Sequence, residues 1–252
     1  NVKNAVKDVD IIVHLAAIVG LPACDKNPDL TKAVNVKGTK NILNCMNDKQ
    51  VILFGSTGSN YGNVEGICTE DSPLKPLSLY AETKTEAEKM IMESGNGIAY
   101  RFATAFGISS RMRQDLLVND FVNKSIRDGY LVVYEKNFMR TFIHVNDMAN
   151  AFLFGIQNKH KMIGEIYNVG DSSMGFTKEV VCEMIAKKTD SYVHYAPIGK
   201  DIDQRNYIVS FEKINRLGFK TQFSLEEGVD ELIRCKDVID VINPYVNALN
   251  IN

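Results

Sequence analysis

VILFGSTGSNYG at residues 51–62, followed after a Pro-containing loop by LYAETK at 79–84, is the stretch that decides the fold. Its first half is an apolar run closing on Ser56 and Thr57, the pattern of a strand buried on both faces with a polar end. In its second half Tyr80 and Lys84 stand four apart, in a segment whose stripe of Ala81, Lys84, Ala87, Met90 and Ile91 predicts a helix over 78–94. That spacing puts phenol and ammonium on one helix face, one turn apart. A free phenol titrates near pH ~10, and an adjacent ammonium lowers that value by about 1–3 units. A phenol tuned in this way can take a proton from a hydroxyl carbon or return one. Ser56 and Thr57 offer the hydroxyl that would hold the substrate oxygen beside it. A lone Tyr-x-x-x-Lys is common by chance and reads first as a half-exposed helix face.

The glycines at 55, 58 and 62 imitate a dinucleotide fingerprint. That fingerprint needs a helix to begin at once, because the helix N-terminus holds the phosphate. NVEGICTEDSPLKP follows instead, and Gly66, Pro73 and Pro76 exclude a helix there.

The order strand, Ser-Thr, Tyr-Gly, Pro-containing loop and Tyr-x-x-x-Lys resembles the extended short-chain dehydrogenase/reductase family, in its NAD-dependent epimerase/dehydratase branch. The resemblance implies an α/β fold with a Rossmann-type parallel sheet and a smaller α/β substrate lobe. Residues 1–106 and 141–170 would form the NAD(P)-binding domain, and 107–140 with 171–252 the substrate lobe. It further implies Thr57, Tyr80 and Lys84 as the catalytic set. Leu15, Ala16, Ala17 and Ala103 would lie along the cofactor, together with Tyr80 and Lys84. Thr104, Asn119, Arg140 and Arg205 would face a nucleotide-diphosphate sugar, the arginines at its diphosphate, where a guanidinium makes a two-pronged bond.

Other segments fit the same order. Residues 10–17 (DIIVHLAA) read as a buried parallel strand in which His14 is a satisfied structural residue. Residues 28–47 carry a helical stripe, with NVKGT at 35–39 matching a family segment. IAYRF (98–102) and EIYNVG (165–170) read as further strands, the latter as the last of the sheet. MRTFIHVNDMANAF (139–152) reads as strand, turn and helix, with Asp147 in the turn. A helix is expected from about 115 to 128, behind a loop carrying Arg111 and Arg113, another over 177–188, and Ser224-x-x-Glu227 is a capping box. Resembling enzymes carry strands and a glycine-rich turn before the segment at 10–17, so roughly 60 residues, about two βα units, are expected upstream of Asn1.

Composition sets outer limits. The chain has 252 residues, a net charge of −2, 45% hydrophobic and 24% charged residues, which suits an ordinary globular protein. No basic bias points to nucleic acid, and no apolar run reaches the roughly 18 residues of a membrane span. The five cysteines lack C-x-x-C spacing and read as reduced thiols of a cytoplasmic protein, with no metal site.

Within the resemblance, residues 58 and 59 discriminate. The 4,6-dehydratases follow the catalytic Thr with an Asp-Glu pair, whereas Gly58-Ser59 stands here. That favours an NAD-dependent (NADP not excluded) nucleotide-sugar epimerase working through a 4-keto sugar, expected as a homodimer. A 4-ketoreductase or dehydratase is the alternative; a non-catalytic NAD sensor or a structural fragment is disfavoured by the intact Thr-Tyr-Lys set.

Overall fold

The computed structural model describes residues 2–199 and 206–236. Its strands, in chain order, are β1 (Ile11–His14), β2 (Val51–Thr57), β3 (Asn63–Cys68), β4 (Gly97–Phe102), β5 (Thr104–Phe106), β6 (Tyr130–Val133), β7 (Met139–His144), β8 (Glu165–Val169), β9 (Gly175–Thr177), β10 (Tyr192–Tyr195) and β11 (Asn206–Val209). The order β1-β2-β4-β8 makes a four-stranded sheet that is parallel throughout. Parallel neighbours need crossovers, and helices supply them on both faces.

The alternation of side chains along each strand sorts the core. From β2, Val51 and Leu53 join Ile98, Tyr100 and Phe102 of β4 against Ala151 and Phe152 of the helix Val145–Gln157. Ile52, Phe54 and Ala99 point the other way, onto Ala87 and Ile91 of the helix Leu79–Glu93. A further cluster stands apart, where Phe106 and Phe142 meet the helices Leu117–Asp128, Lys178–Thr189 and Leu225–Arg234. There β5 pairs parallel with β7 and β9 antiparallel to it. β6 pairs with β10, and β3 with β11.

Several elements match the sequence reading, and the exceptions have physical causes. The strand expected over 10–17 is shorter and half buried: Val13 is 39% exposed because β1 is an edge of the described sheet. The helix expected over 28–47 is Pro28–Lys32 and Gly38–Leu43 joined through a π-helical turn, Ala33–Lys37. Asp147 is not in a turn. The helix Val145–Gln157 starts directly after β7, and Asp147 is buried in its first turn, accepting from the backbone N–H of Gln222 (3.0 Å) and Phe223 (3.1 Å). No α-helix follows β2; a short 3₁₀ helix, Gly58–Tyr61, leads into β3. The capping box at Ser224 and Glu227 is formed.

Helix and sheet meet closely at Gly155, where a Cβ would stand 1.8 Å from the Tyr100 hydroxyl. That hydroxyl is buried without a hydrogen-bond partner among the described residues. Gly155→Ala is therefore expected to destabilise the fold by about 1–3 kcal/mol through overpacking, measured by urea unfolding. Tyr100→Phe removes the clashing atom and should recover most of that loss in the double variant.

Candidate active site

The helix carrying Tyr80 and Lys84 is started by Ser78, whose Oγ accepts the Ala81 N–H at 3.2 Å. Tyr80 is half buried, one turn before Lys84. Lys84 is 3% exposed, and its Nζ lies 3.8 Å from the centre of the Phe54 ring on β2. Burial drives the Lys84 ammonium down to about 7, while the Glu88 carboxylate works in the opposite direction. The ammonium makes no hydrogen bond to a described residue, so its donors are left to the ring face and to whatever enters the cleft.

Thr57 closes β2. Its Oγ1 accepts the Ser59 N–H at 3.1 Å and lies 3.0 Å from Ser59 Oγ. Ser56, read from sequence as the alternative hydroxyl for a substrate, is committed elsewhere: its Oγ donates to Glu88 Oε2 at 2.6 Å. Side chains alternate along a strand, so only one of two adjacent hydroxyls can face the cleft.

At the end of β1, His14 Nε2 and Thr39 Oγ1 are 2.9 Å apart, the satisfied structural role expected for it. Burial, reinforced by Lys84, pushes the imidazole down to about 4. Leu15 and Ala16 are exposed beyond β1, and Ala17 is half buried. The loop that follows is clasped by Asn35, whose Oδ1 accepts the Ile18 N–H (2.8 Å) while its Nδ2 donates to Ile18 O (3.0 Å) and Thr83 Oγ1 (3.1 Å). This residue, unassigned from sequence, ties the β1 loop to the Tyr80 helix.

Ala103 and Thr104 are half buried where β4 passes into β5. Asn119 is buried with its amide taken by backbone, donating to Arg113 O (2.9 Å) and accepting the Gly107 N–H (3.1 Å). A buried amide so engaged braces the loop over 107–113 and keeps one N–H donor beyond these two bonds. Arg113 pairs with Asp115 at 2.7 Å. Arg140 is buried on β7, donates from Nη1 to Met139 O (2.9 Å), and lines a cavity of about 230 Å³ with Ile67, Thr141, Ile208 and Glu212. Thr57, Tyr80 and Lys84 do not line that cavity. Arg205 lies outside the described residues.

The sequence profile of the NAD dependent epimerase/dehydratase family matches residues 1–170. The chain belongs to the NAD-dependent epimerase/dehydratase family. Among similar proteins, a putative UDP-glucose 4-epimerase of Methanocaldococcus jannaschii is 25% identical, over 90% of this chain and 77% of its own length. The UDP-glucuronic acid 4-epimerase of Bacillus cereus, solved with UDP-glucuronic acid and NAD, superposes with a TM-score of 0.83 at 20% identity, covering 94% of this chain and 78% of its own. RMD of Pseudomonas aeruginosa, solved with NADPH, gives 0.80 at 20% identity over 94% and 86%. These likenesses show the Rossmann-type fold, and the family assignment makes this epimerase/dehydratase-type chain an enzyme. No helix among the described residues is long and apolar enough to cross a membrane.

The ionisation of Lys84 has a testable sign. An amine that titrates near 7 when folded and near 10.5 when unfolded binds fewer protons in the folded state across that window. Ligand-free stability should therefore rise with pH from about 7 to about 10.5 and flatten outside it. Lys84→Met should abolish this rise, as read from urea midpoints at successive pH values.

Proposed function

We propose that this chain is a nucleotide-sugar epimerase that uses NAD(P) and passes through a 4-keto sugar. The observation that carries the reading is Lys84: a buried ammonium with no hydrogen bond to a described residue, one turn from a half-buried Tyr80. Such donors suit the hydroxyls of a nicotinamide ribose, so the residues present fit the cofactor. The exposed Leu15 and Ala16, half-buried Ala17 and Ala103 would flank it, small side chains at three of these positions permitting close approach. When bound, the cofactor supplies hydride acceptance and return at one carbon.

Tyr80 removes the proton of the hydroxyl on that carbon and later restores it. Lys84, while charged, stabilises the phenolate. Thr57 steadies the sugar oxygen, with Ser59 orienting the Thr57 hydroxyl. In the turn Gly58–Tyr61 there is no carboxyl to protonate a leaving hydroxyl or draw a proton from C5, which favours epimerisation over dehydration. A reductase with exchangeable NADPH is the second reading. Tightly held NAD on the purified enzyme speaks for the epimerase, and an empty site for the reductase.

Residues 1–106 and 141–170 are assigned to the cofactor half, and 107–140 with 171–252 to the half that holds the nucleotide sugar. Arg140, in the cavity with Ile67 and Ile208, is assigned to the diphosphate, with Thr104 and Arg205 beside the same ligand. The proposal places the enzyme in the cytoplasm as a homodimer; its five cysteines, all unpaired, suit a reducing compartment.

Tyr80→Phe should keep the fold and nucleotide-sugar binding while lowering turnover by about 10²–10⁴; unchanged turnover removes Tyr80 from the mechanism. Arg140→Met should weaken nucleotide-sugar binding by about 1.5–3 kcal/mol in calorimetry, the range for hydrogen bonds to charged groups. Insensitive binding would return Arg140 to a structural role.

A further inference from the structure

Glu88 lies one turn beyond Lys84 on the buried face of the helix Leu79–Glu93 and is 3% exposed. Its carboxylate is approached from several elements at once. From β2, Ser56 Oγ donates at 2.6 Å; from the turn after β2, Asn60 Nδ2 donates at 3.4 Å. From β4, Arg101 Nη2 donates to Oε1 at 2.7 Å and Nε lies 3.1–3.2 Å from both oxygens. Arg101 is itself held by Tyr61, to whose hydroxyl Nη1 donates at 3.0 Å, and by the Glu70 carbonyl, also at 3.0 Å. The Tyr61 hydroxyl in turn donates a hydrogen bond to Asn168 Oδ1 on β8 at 2.6 Å. One buried carboxylate thus connects the helix of Tyr80 and Lys84 with the strand end of Thr57 and with the next strands of the sheet.

Lys84 shares little of this network. It rests against the Phe54 ring, and among the described residues Glu88 is the anion that acts on it. Tyr80, one turn before Lys84, is the phenol whose charge the proposed chemistry itself invokes, and His14, Tyr61 and Arg101 add no negative charge. His14, facing it from β1, is pushed down to about 4 and is neutral at pH 7; Tyr61, pushed up to about 12, is neutral as well. Arg101 from β4 is spent on Glu88. The helices Leu21–Lys26 and Pro28–Lys32, which pack on the Tyr80 helix, carry Asp25, Lys26, Asp29 and Lys32 at exposed positions where water screens them.

Building on the roles given above to Tyr80 and Lys84, we infer that Glu88 is a positioning residue of the active site. Clamped by Arg101 and Ser56, it fixes the Tyr80 helix against the end of β2 and supplies the counter-charge that keeps Lys84 an ammonium. A neutral side chain at 88 would leave Lys84 to lose its proton at lower pH, and an uncharged amine no longer favours the phenolate.

The test reads Lys84 without needing its ligands. In wild type, the stability difference from Lys84→Met begins to change with pH at about 7. In a Glu88→Gln background that onset should fall by about one pH unit, whereas Glu88→Asp, which keeps the charge, should hold it near the wild-type position. A purely structural Glu88 would lower stability in both backgrounds and leave the onset where it was, and that result overturns the inference. Should Glu88→Gln not fold, Ser56→Ala leaves the ion pair whole. Amide exchange should then quicken together at the end of β2 and in the first turn of the Tyr80 helix, by about tenfold or more. Unchanged exchange in either segment also overturns it. Turnover of UDP-glucose by Tyr80→Phe, measured alongside, separates a failure of the epimerase reading from a failure of this one.

Discussion

A charge can stay inside a protein only if its partners are buried with it. Arg101 and Glu88 meet at 2.7 Å with side chains 4% and 3% exposed, and neither can be satisfied until β2, β4, the turn over 58–61 and the Tyr80 helix have all assembled. Removing one member of such a pair typically costs about 3–5 kcal/mol, because the other charge is left unpaired in the interior. The pair adds little net stability over an apolar substitute of the same volume. What it contributes is discrimination: alternative registers of helix on sheet would strand a guanidinium or a carboxylate in the dry core. The side chains proposed for catalysis stand immediately beside this checkpoint, Thr57 next to Ser56 and Lys84 one turn before Glu88.

Lys84 shows the opposite economy. It is desolvated, rests on an aromatic face, and depends on a carboxylate already engaged by Arg101. Nothing in the packing of the helix requires a lysine there. A core residue of similar length would fill the same space without the desolvation penalty. Stability given up at one buried position is the usual mark of a residue retained for chemistry.

Much of this was legible in the residues themselves, where the signal was local. β2 opens on an apolar run and β4 is apolar but for Arg101, the helix over 79–93 has its stripe and its Ser78 cap, and Ser224 with Glu227 spells a capping box within a single turn. Proline and glycine after Tyr61 excluded the helix that a phosphate-binding fingerprint requires. The rest depended on contacts between distant segments. No local pattern announces that Glu88 and Arg101 pair; the partnership appears only when β4 is laid beside β2, which brings Arg101 level with Ser56. Asp147 looked like a turn residue because its backbone partners, Gln222 and Phe223, are remote in sequence. Asn119 shows polarity but not direction; only the folded loop reveals that its amide bridges Gly107 and Arg113.

β7 carries a consequence for how the molecule comes apart. Its adjacent residues Phe142 and Ile143 point to opposite sides and belong to different apolar clusters, while the next residue, His144, is stacked on Phe223 at 4.3 Å and lies 2.9 Å from Glu231. A six-residue strand is thus a structural wall held in common. Neither cluster can loosen without exposing one face of β7, and a strand cannot leave one neighbour while keeping perfect registry with the other. The two clusters are therefore coupled into one cooperative melting unit rather than a pair of independently unfolding halves.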